Sequence, residues 1–371
     1  MRILQISSAQ SLGGGERHLA DLASGLVARG HNVFVAVRPK SPLVNELKAV
    51  GEENIVRLAL RNSLDAKSAR DLSKLVSRNR IQIVHAHMAR DYPLAAYAAI
   101  KNPGSKLIVT RHVLFGLSPL HRMTLSKCAR IIAVSQAVAS QLRADAIVPA
   151  GKISVVVNGI DTARFQAARE KFIRREFLTR WELPQNSSLV GTVGELTPLK
   201  GQEDFLRAAA QVLKQHPSAY FIVAGIDHSR GNQHRTHIER LIEDLNLRER
   251  VRLVGWMEDL AQLYCALDVF VSASRTESFG LALAEAMASG TAVAATETEG
   301  ARELIQPDET GLLVPIGDID RLANAVLKLV KDQDLRDRLG TKAQQAAATS
   351  FSVERMIAET EAIYRAEIPE Q

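Results

Sequence analysis

The sequence predicts an α/β protein made of two doubly wound domains, each a parallel sheet with helices on both faces. Three observations predict this fold class. Over residues 1 to 165, short strands rich in β-branched residues alternate with amphipathic helical stretches, as in βαβ units. The alternation resumes at Leu189 to Val193. With 371 residues the chain is also long enough for two domains that each have a core.

The composition is that of a globular protein, with 46% hydrophobic and 24% charged residues. No run approaches the length of a membrane-spanning helix, and the N-terminus lacks a signal-peptide cleavage pattern. We therefore interpret Met1 to Ser7 as a first strand. Cys128 and Cys265 stand alone in apolar settings, which favours reduced, buried thiols and a cytoplasmic location.

The net charge of +6 hides an asymmetry between the two halves of the chain. Residues 1 to 165 contain 23 basic and 10 acidic residues, whereas the remainder contains 24 basic and 31 acidic ones. A basic half indicates an anionic partner, either a phospholipid surface, a phosphorylated lipid or saccharide, or nucleic acid. The chain has no zinc finger, aromatic RNP pattern or array of basic helices, so we do not expect a nucleic-acid partner.

A glycine-rich turn follows the first strand, Ile3 to Ile6. Gly13, Gly14 and Gly15 precede an amphipathic helix, and such a turn lets the backbone approach a ligand closely. His18 stands where the dinucleotide-binding fingerprint has its third glycine, so the turn is not that motif. Alone, it is a weak signal for a phosphate site.

A basic helix is predicted further along the first half, between Leu64 and Asn79. Its cations are three or four residues apart and fall near one face, which is either solvated or in contact with a membrane surface. These residues are Lys67, Arg70, Lys74 and Arg78.

Histidines end two successive predicted strands. His85 and His87 end the strand that starts at Ile81, where alternation places them on the same side, and His112 follows the strand from Lys106 to Thr110. Ligands of doubly wound sheets bind outside the carboxyl ends of the strands, so these histidines are well placed for a cleft. The alternative for each histidine, taken singly, is a structural role.

The strongest signal is the stretch from Phe270 to Gly290. It indicates a buried strand, a polar loop over residues 272 to 278, and a helix that begins at Phe279 and stops at Gly290. The free N–H groups of Phe279, Gly280 and Leu281 would then form an anion site.

Two carboxylates accompany this anion site, Glu277 and Glu285. Their separation of eight residues corresponds to about 12 Å along a helix axis. They could therefore hold the two hydroxyl-rich ends of an elongated ligand with an anionic middle, and a nucleotide diphosphate sugar has that layout. The alternative is that Glu277 caps the helix and Glu285 is a surface residue.

Metal chemistry is not expected from the sequence. His228, His234 and His237 have loose ligand spacing, but the residues between them resemble a solvated loop. Asp318 and Asp320 follow Gly317 and precede an apolar pattern, which favours a helix N-cap.

The pattern Glu277-Ser-Phe-Gly-Leu-(x)3-Glu285-Ala-Met-Ala-Ser-Gly290 resembles the donor-binding signature of glycosyltransferase family 4, which comprises retaining enzymes with the GT-B fold. The resemblance extends over essentially the whole chain. It implies two Rossmann-like doubly wound parallel-sheet domains facing across a cleft. Residues 1–165 would form the acceptor-binding domain and 166–351 the donor-binding domain, while a helix within 352–371 would cross back to the first domain.

The resemblance also implies an activity. A hexosyl group would move from a nucleotide diphosphate sugar, UDP- or GDP-linked, to a saccharide or lipid-linked acceptor, without a metal or other cofactor. The charge asymmetry favours an acceptor from cell-envelope polysaccharide or lipopolysaccharide synthesis, with peripheral contact at the inner face of the cytoplasmic membrane.

Residue roles follow from the resemblance as well. His112, Glu277 and Lys200 would be catalytic, and His87 would lie on the acceptor side. Lys200 stands just before a predicted helix, where it can reach an anion. The donor would contact Gly14, Gly15, Glu195, Lys200, Gly255, Glu277, Phe279, Gly280, Leu281 and Glu285.

One position departs from the family pattern, because Glu195 stands where the family has arginine. The donor site thereby loses a positive charge that would help to neutralise a diphosphate, and Arg275 is a candidate replacement. This departure leaves a non-catalytic protein that binds a nucleotide sugar as one rival function, and a GT-B epimerase, which would use the same fold and donor, is a second. An epimerase needs an acid and a base paired around the sugar, which the Glu277 to Glu285 signature disfavours.

Overall fold

Two parallel sheets account for the strands within residues 1–257 and 259–368, the part of the chain that this computed structural model describes. The chain divides into two units. Unit 1 joins residues 1–159 to the segment that begins at Val353, and unit 2 is Ile160–Ser352. The GT-B architecture predicted from the sequence, two doubly wound parallel-sheet domains, is confirmed.

Unit 1 contains a seven-stranded sheet in the order β3-β2-β1-β4-β5-β6-β7, with every neighbouring pair parallel. Its strands are β1 (Arg2–Ser7), β2 (Asn32–Val37), β3 (Ile55–Arg57), β4 (Ile83–Ala86), β5 (Lys106–Arg111), β6 (Arg130–Ala133) and β7 (Ile153–Val155). Its α-helices are α1 (Gly14–Ala28), α2 (Ala66–Arg78), α3 (Tyr92–Ile100), α4 (Pro119–Leu125), α5 (Gln136–Ala144) and a C-terminal helix, Val353–Glu367.

The sheet of unit 1 is buried on both faces. Alternate residues of a strand point to opposite faces, and the core of unit 1 divides in that way. Ile3 and Ile83 pack in one hydrophobic cluster with helix α1 and the C-terminal helix, whereas Leu4 and Val84 pack in another with α2, α3 and α5. Such double coverage explains the nearly continuous apolar runs of these strands.

Unit 2 contains a six-stranded parallel sheet in the order β10-β9-β8-β11-β12-β13. The strands are β8 (Ser188–Val193), β9 (Ala219–Ala224), β10 (Val251–Val254), β11 (Val269–Ser272), β12 (Ala292–Thr296) and β13 (Leu312–Val314). The α-helices are α6 (Thr162–Lys171), α7 (Arg174–Arg180), α8 (Gln202–Gln215), α9 (Gln233–Asp244), α10 (Leu260–Ala266), α11 (Leu281–Ala288), α12 (Glu299–Leu304), α13 (Ile319–Lys331) and α14 (Gln333–Ser350), so the C-terminal helix of unit 1 is α15.

The boundary between the units differs from the predicted one. The predicted break after residue 165 falls inside α6, which belongs to unit 2. The observed break precedes Ile160, because the Ile160 N–H donates to the Phe351 carbonyl at 2.8 Å and thereby joins the two ends of unit 2. Val353 begins the return to unit 1, and residues 369–371 of the predicted C-terminal segment lie outside the described residues.

Two local predictions can be compared with the structure. Residues 229–232, between His228 and His234, lie outside helices and strands, as predicted for a loop, whereas His234 and His237 themselves lie on α9. Asp318 is the N-cap of α13, as predicted, and its carboxylate accepts the Arg321 N–H. None of the described helices has both the length and the apolarity needed to span a membrane.

Candidate functional site

Two loops of unit 2 lie against each other and carry predicted site residues. Lys200 ends a short 3₁₀ turn after β8, and the Arg275 N–H donates to the Leu199 carbonyl at 2.8 Å. Gly201 makes this approach feasible, because a Cβ there would collide with the Ala273 backbone. Its left-handed backbone, φ 66°, also suits glycine.

Lys200 and Glu277 form an ion pair, with Lys200 Nζ 2.6 Å from Glu277 Oε1. The same oxygen accepts from Ser274 Oγ at 2.9 Å. The Glu277 carbonyl in turn accepts the Gly300 N–H at 3.1 Å. The Glu277 carboxylate is therefore held in place by neighbours from two loops, and the charge of Lys200 is balanced by a carboxylate rather than isolated.

The predicted helix start at Phe279 is wrong by two residues. Gly280 has φ 101°, which a right-handed helix cannot continue, and α11 begins at Leu281. The N–H groups of Phe279 and Gly280 therefore precede the first turn instead of belonging to it. The unpaired first-turn amides are those at the positions of Leu281, Ala282 and Leu283.

Glu285 is buried in unit 2, with 8% of its surface exposed, so the alternative of a surface residue is wrong. The Tyr264 hydroxyl donates to Glu285 Oε2 at 2.8 Å. A buried carboxylate that accepts from a hydroxyl is chemically equipped to bind other hydroxyl groups.

Glu195 and Arg275 show how the departure from the family pattern is accommodated. The Glu195 side chain is exposed, and its carbonyl accepts from Gln202 Nε2 at 2.9 Å. Arg275 Nη2 lies 3.2 Å from both carboxylate oxygens of Asp204. Arg275 is thus already paired with an acid. Gly255 is half-buried directly after β10, with open space where a Cβ would be.

Unit 1 brings four histidines together at the carboxyl ends of β4 and β5. The ring centroids of His85 and His87 are 4.2 Å apart, so both histidines lie on the same side, as predicted. The ring of His112 lies 5.7 Å from that of His87 and 4.8 Å from that of His18. His18 is the member that sequence reasoning treated only as a departure from another motif, because nothing in its spacing relates it to β4 or β5.

A hydrogen-bond chain fixes the tautomers of these rings. The Tyr364 hydroxyl accepts from Gln5 Nε2 at 3.1 Å and therefore donates to His85 Nδ1 at 2.5 Å. Gln5 Oε1 accepts from His87 Nε2 at 2.7 Å, which leaves His87 Nδ1 as an acceptor for His112 Nε2 at 3.4 Å. His112 Nδ1 is then the unprotonated nitrogen of that ring.

Burial keeps this cluster neutral. It lowers the pKa of His85, His87 and His112 well below the ordinary value, and the neighbouring imidazoles lower the pKa of each further. Burial also lowers the pKa of His18 to about 4, although Asn158 opposes the shift. Neither ring nitrogen of His18 has a hydrogen-bond partner of normal geometry among the described residues.

The nitrogens of His18, His87 and His112 lie within 4.8 Å of one another, which is close enough for a shared metal ion. Two of these three rings already bond to each other, and His87 is also bonded to Gln5. His87 and His112 are therefore accounted for as neutral imidazoles bonded to each other, while His18 packs against both rings without a hydrogen bond to either.

The predicted glycine loop is in fact the start of a helix. Gly14 and Gly15 are the first residues of α1, and Gly13 is its N-cap. The Glu16 carboxylate accepts the Gly13 N–H at 3.0 Å and so occupies the helix N-terminus. Gly15 lies beside the cluster, since a Cβ there would be 3.7 Å from the His112 ring.

Two family models match the chain and together cover most of it. Residues 12–164 match "Glycosyltransferase Family 4" and residues 173–346 match "Glycosyl transferases group 1". The division between these matches corresponds closely to the division between the two units.

Curated relatives with assigned activities are also similar to the chain. The N-acetyl-alpha-D-glucosaminyl L-malate synthase of Bacillus anthracis is 25% identical over 81% of this chain and 78% of the relative. The lipopolysaccharide core biosynthesis glycosyltransferase LpsE of Rhizobium meliloti is 32% identical over 47% of this chain and 48% of its own. The Escherichia coli UDP-Gal:alpha-D-GlcNAc-diphosphoundecaprenol alpha-1,3-galactosyltransferase is 28% identical over 73% of this chain and 72% of its own.

Solved structures share the fold over the full length. A glycosyltransferase from Rickettsia africae superposes with a TM-score of 0.89 at 23% identity, covering 100% of this chain and 99% of the other. HepE from Anabaena, crystallised with UDP and glucose, gives a TM-score of 0.86 at 22% identity, covering 99% and 100%.

Proposed function

The chain belongs to the glycosyltransferases described by these two family models, and from that membership we propose that it is a retaining hexosyltransferase whose donor is a UDP- or GDP-linked sugar. One observation carries the proposal. Lys200, Glu277 and the first turn of α11 converge in unit 2 through the contacts of their two loops, and together they provide a cation, a fixed carboxylate and free amides.

The donor is assigned by the chemistry of these groups. The α11 amides and Lys200 bind the diphosphate, Glu277 binds the sugar hydroxyls, and Glu285 binds the ribose. Two relatives support this assignment, since the E. coli enzyme is named for UDP-Gal and HepE was crystallised with UDP and glucose. Glu195, Gly255, Gly14 and Gly15 remain proposed donor contacts.

The transfer is proposed to occur on one face of the sugar. The bond from the anomeric carbon to the leaving phosphate breaks, the bond to the acceptor oxygen forms, and the acceptor hydroxyl proton passes to the leaving phosphate oxygen. The residues of this chain stabilise the charge that develops on the phosphate, so no metal is required. His112 orients the sugar or the acceptor, and His87 supports it through their mutual hydrogen bond.

The acceptor is proposed to be a saccharide or lipid-linked precursor of a cell-envelope polysaccharide or lipopolysaccharide. The names of two relatives support this class, one from lipopolysaccharide core synthesis and one with a diphosphoundecaprenol acceptor. L-malate and a diphosphate, which occur in the relatives' names, are both anionic. The proposal includes a cytoplasmic location and contact of unit 1 with the membrane surface through α2.

Calorimetric titration of the chelator-treated protein with UDP-glucose, UDP-galactose, UDP-N-acetylglucosamine and GDP-mannose tests the donor site. We expect one donor to bind, and Lys200→Ala and Glu285→Ala each to weaken its affinity by about tenfold or more, because each removes a charge-assisted contact. Arg207→Ala, an exposed cation on α8, is the matched control and should leave the affinity unchanged.

The same preparation separates the rival functions. Transfer of sugar to an envelope-lipid extract in the presence of chelator supports the hexosyltransferase. Binding without transfer to any acceptor would favour a non-catalytic protein, and conversion of the free nucleotide sugar into its epimer would favour an epimerase. If no nucleotide sugar binds, the proposal is wrong.

A further inference from the structure

A cavity of about 440 Å³ lies in unit 1, apart from the histidine cluster. Its walls come from the segments after three adjacent strands. Ala9 and Gln10 follow β1, residues 38–41 follow β2, and Ala59 and Arg61 follow β3. The cavity therefore opens at the carboxyl edge of the sheet, which is where doubly wound sheets bind their ligands.

Three cations line this cavity, namely Arg38, Lys40 and Arg61. Within the described residues, none of the three has a carboxylate at ion-pair distance, whereas Arg29, Arg57 and Arg130 of the same unit each have one. Like charges gathered around one concave space repel each other unless an anion lies between them.

Two carboxylates, Asp91 and Asp65, interact electrostatically with Arg38 and Arg61, but both accept hydrogen bonds from other groups. Burial raises the pKa of Asp91, the charge of Arg38 opposes that shift, and Asp91 Oδ2 accepts the Ser8 N–H at 2.8 Å. Asp65 influences Arg61, but its oxygens accept the Arg61 and Ser68 N–H groups at 3.1 Å and the Ser68 hydroxyl at 2.8 Å. The hydrogen-bonding capacity of the cationic side chains is therefore not consumed by either acid.

The walls of the cavity are held in place before any ligand arrives. Ser41 Oγ donates to the Ala9 carbonyl at 3.2 Å and ties the β2 segment to the β1 segment. The Leu60 N–H donates to Ser68 Oγ at 3.0 Å and fixes the β3 segment on α2. When the Gln10 amide is turned so that its oxygen faces Arg38, that oxygen accepts from both terminal nitrogens of the guanidinium at 2.8 and 3.2 Å.

Two residues of the segments that form these walls, the lining residue Lys40 and Leu60 between Ala59 and Arg61, have a left-handed backbone that side chains normally avoid. Lys40 has φ 66° and Leu60 has φ 40°. Such conformations cost free energy and persist at sites where the surrounding structure imposes them. Here they direct the segments that carry Lys40 and Arg61 around the same space.

We propose that this cavity binds an anionic group, a phosphate or a carboxylate, on the acceptor of the transfer reaction. Only the assignment of this anion to the acceptor rests on the proposed function. The anion site itself is inferred from the residues that line the cavity. An anion site here would also account for part of the excess of basic residues in 1 to 165, because three of them line the cavity. Guanidinium groups suit this ligand because their fork of N–H donors matches the oxygens of phosphate and carboxylate.

Titration with simple anions tests the proposal. The probes are glucose 6-phosphate and L-malate, with glucose as the uncharged control, and the variants are Arg38→Gln, Arg61→Gln and Lys40→Asn. Asparagine tolerates the left-handed backbone at position 40, so this variant removes the charge without adding strain. Arg143→Gln removes an exposed charge from α5 of the same unit and is the matched control.

We expect at least one charged probe to bind, glucose not to bind, and each cavity variant to weaken the charged probe by about tenfold or more. Arg143→Gln should change its affinity less than about twofold. A preference between the two probes identifies phosphate or carboxylate as the group. Equal weakening by Arg143→Gln, or unchanged affinity in all three cavity variants, would overturn the proposal, as would the absence of any binding.

Nucleotide-sugar titration of the same variants keeps the two proposals distinguishable. The cavity residues lie in unit 1, whereas the proposed donor residues other than Gly14 and Gly15 lie in unit 2, so donor affinity should stay as in the unaltered chain. Urea denaturation followed by circular dichroism shows whether unit 1 of each variant is folded. If the cavity variants lose anion binding and retain donor binding, the proposed anion site is supported. Anion binding without any donor binding would leave the cavity standing and refute the glycosyltransferase proposal.

Discussion

Single residues of the candidate site were identified from the sequence more readily than their partners. The signature named Glu277, and the helix-start argument named Lys200, yet no sequence pattern relates two residues that are 77 positions apart. Their ion pair depends on the packing of two loops through Gly201, which is a tertiary event. Tyr264 and Tyr364 were missed as partners of Glu285 and His85 for the same reason.

The Tyr364 hydroxyl is a clear test at this scale. Tyr364→Phe leaves His85 Nδ1 and Gln5 Nε2 without their shared partner in a buried position. We expect the free energy of unfolding of unit 1 to fall by about 1 to 3 kcal/mol, the usual cost of an unsatisfied buried polar group. Urea denaturation followed by circular dichroism measures the change.

Tyr97→Phe is the control for that substitution, because Tyr97 lies at the surface of α3 with 38% of its area exposed. Its effect should stay within about 0.5 kcal/mol, as for most surface changes. Equal effects of the two substitutions would mean that the hydrogen-bond chain through Tyr364 contributes nothing to stability.

At the scale of elements, the sequence predicted whether a segment is a helix or a strand better than it predicted the residues at which the segment begins and ends. The sequence located β1, α2 and α15 within a few residues, β1 from its apolar run, α2 from the spacing of its cations and α15 from the family resemblance. The start of α11 was misplaced by two residues because the sequence alone does not predict the left-handed backbone of Gly280. The unit boundary was misplaced because it depends on the Ile160 to Phe351 hydrogen bond.

Helix α2 offers a test at the scale of an element. Lys67, Arg70, Lys74 and Arg78 are exposed, as the spacing predicted. If this face meets a membrane, Lys67→Gln combined with Lys74→Gln should weaken binding to vesicles of phosphatidylglycerol and phosphatidylcholine by about 1 kcal/mol per charge. Co-sedimentation measures the affinity. Vesicles of phosphatidylcholine alone should bind neither protein.

A double variant in unit 2, Arg207→Gln with Lys214→Gln, removes the same charge from an exposed part of α8 and is the control for α2. It should bind the anionic vesicles like the unaltered chain. Equal losses in the two double variants would show that only net charge matters, and the proposed contact through α2 would be abandoned.

At the scale of the whole molecule, unit 1 is discontinuous in sequence. Its last helix, α15, follows all of unit 2 and supplies Tyr364 to the histidine cluster and Glu361 to Arg29 and His31. Trp181 and Trp256, the two tryptophans of the chain, both belong to unit 2. Tryptophan fluorescence therefore reports unfolding of unit 2, whereas circular dichroism reports both units.

The two units should respond differently to acid. In unit 1, burial holds the pKa of His18, His85, His87 and His112 below 6.5, so between 6.5 and the folded pKa the unfolded chain binds protons that the folded chain does not. The stability that these residues support is fully present above pH 6.5 and falls as the pH decreases below it. Asp91 acts in the opposite direction, since burial raises its pKa to about 6.

Each such histidine should lower the free energy of unfolding of unit 1 by about 1.4 kcal/mol when the pH falls from about 7.5 to about 5.5. Asp91 should offset part of that decrease. Unit 2 should lose less, because its histidines with lowered pKa, His216 and His234, are more exposed than the cluster. Urea denaturation at the two pH values, followed by both probes, measures the difference. In His18→Asn, the decrease in the free energy of unfolding of unit 1 between the two pH values should be smaller by about the contribution of one histidine. If the decrease is the same as in the unaltered chain, His18 is not held neutral by burial.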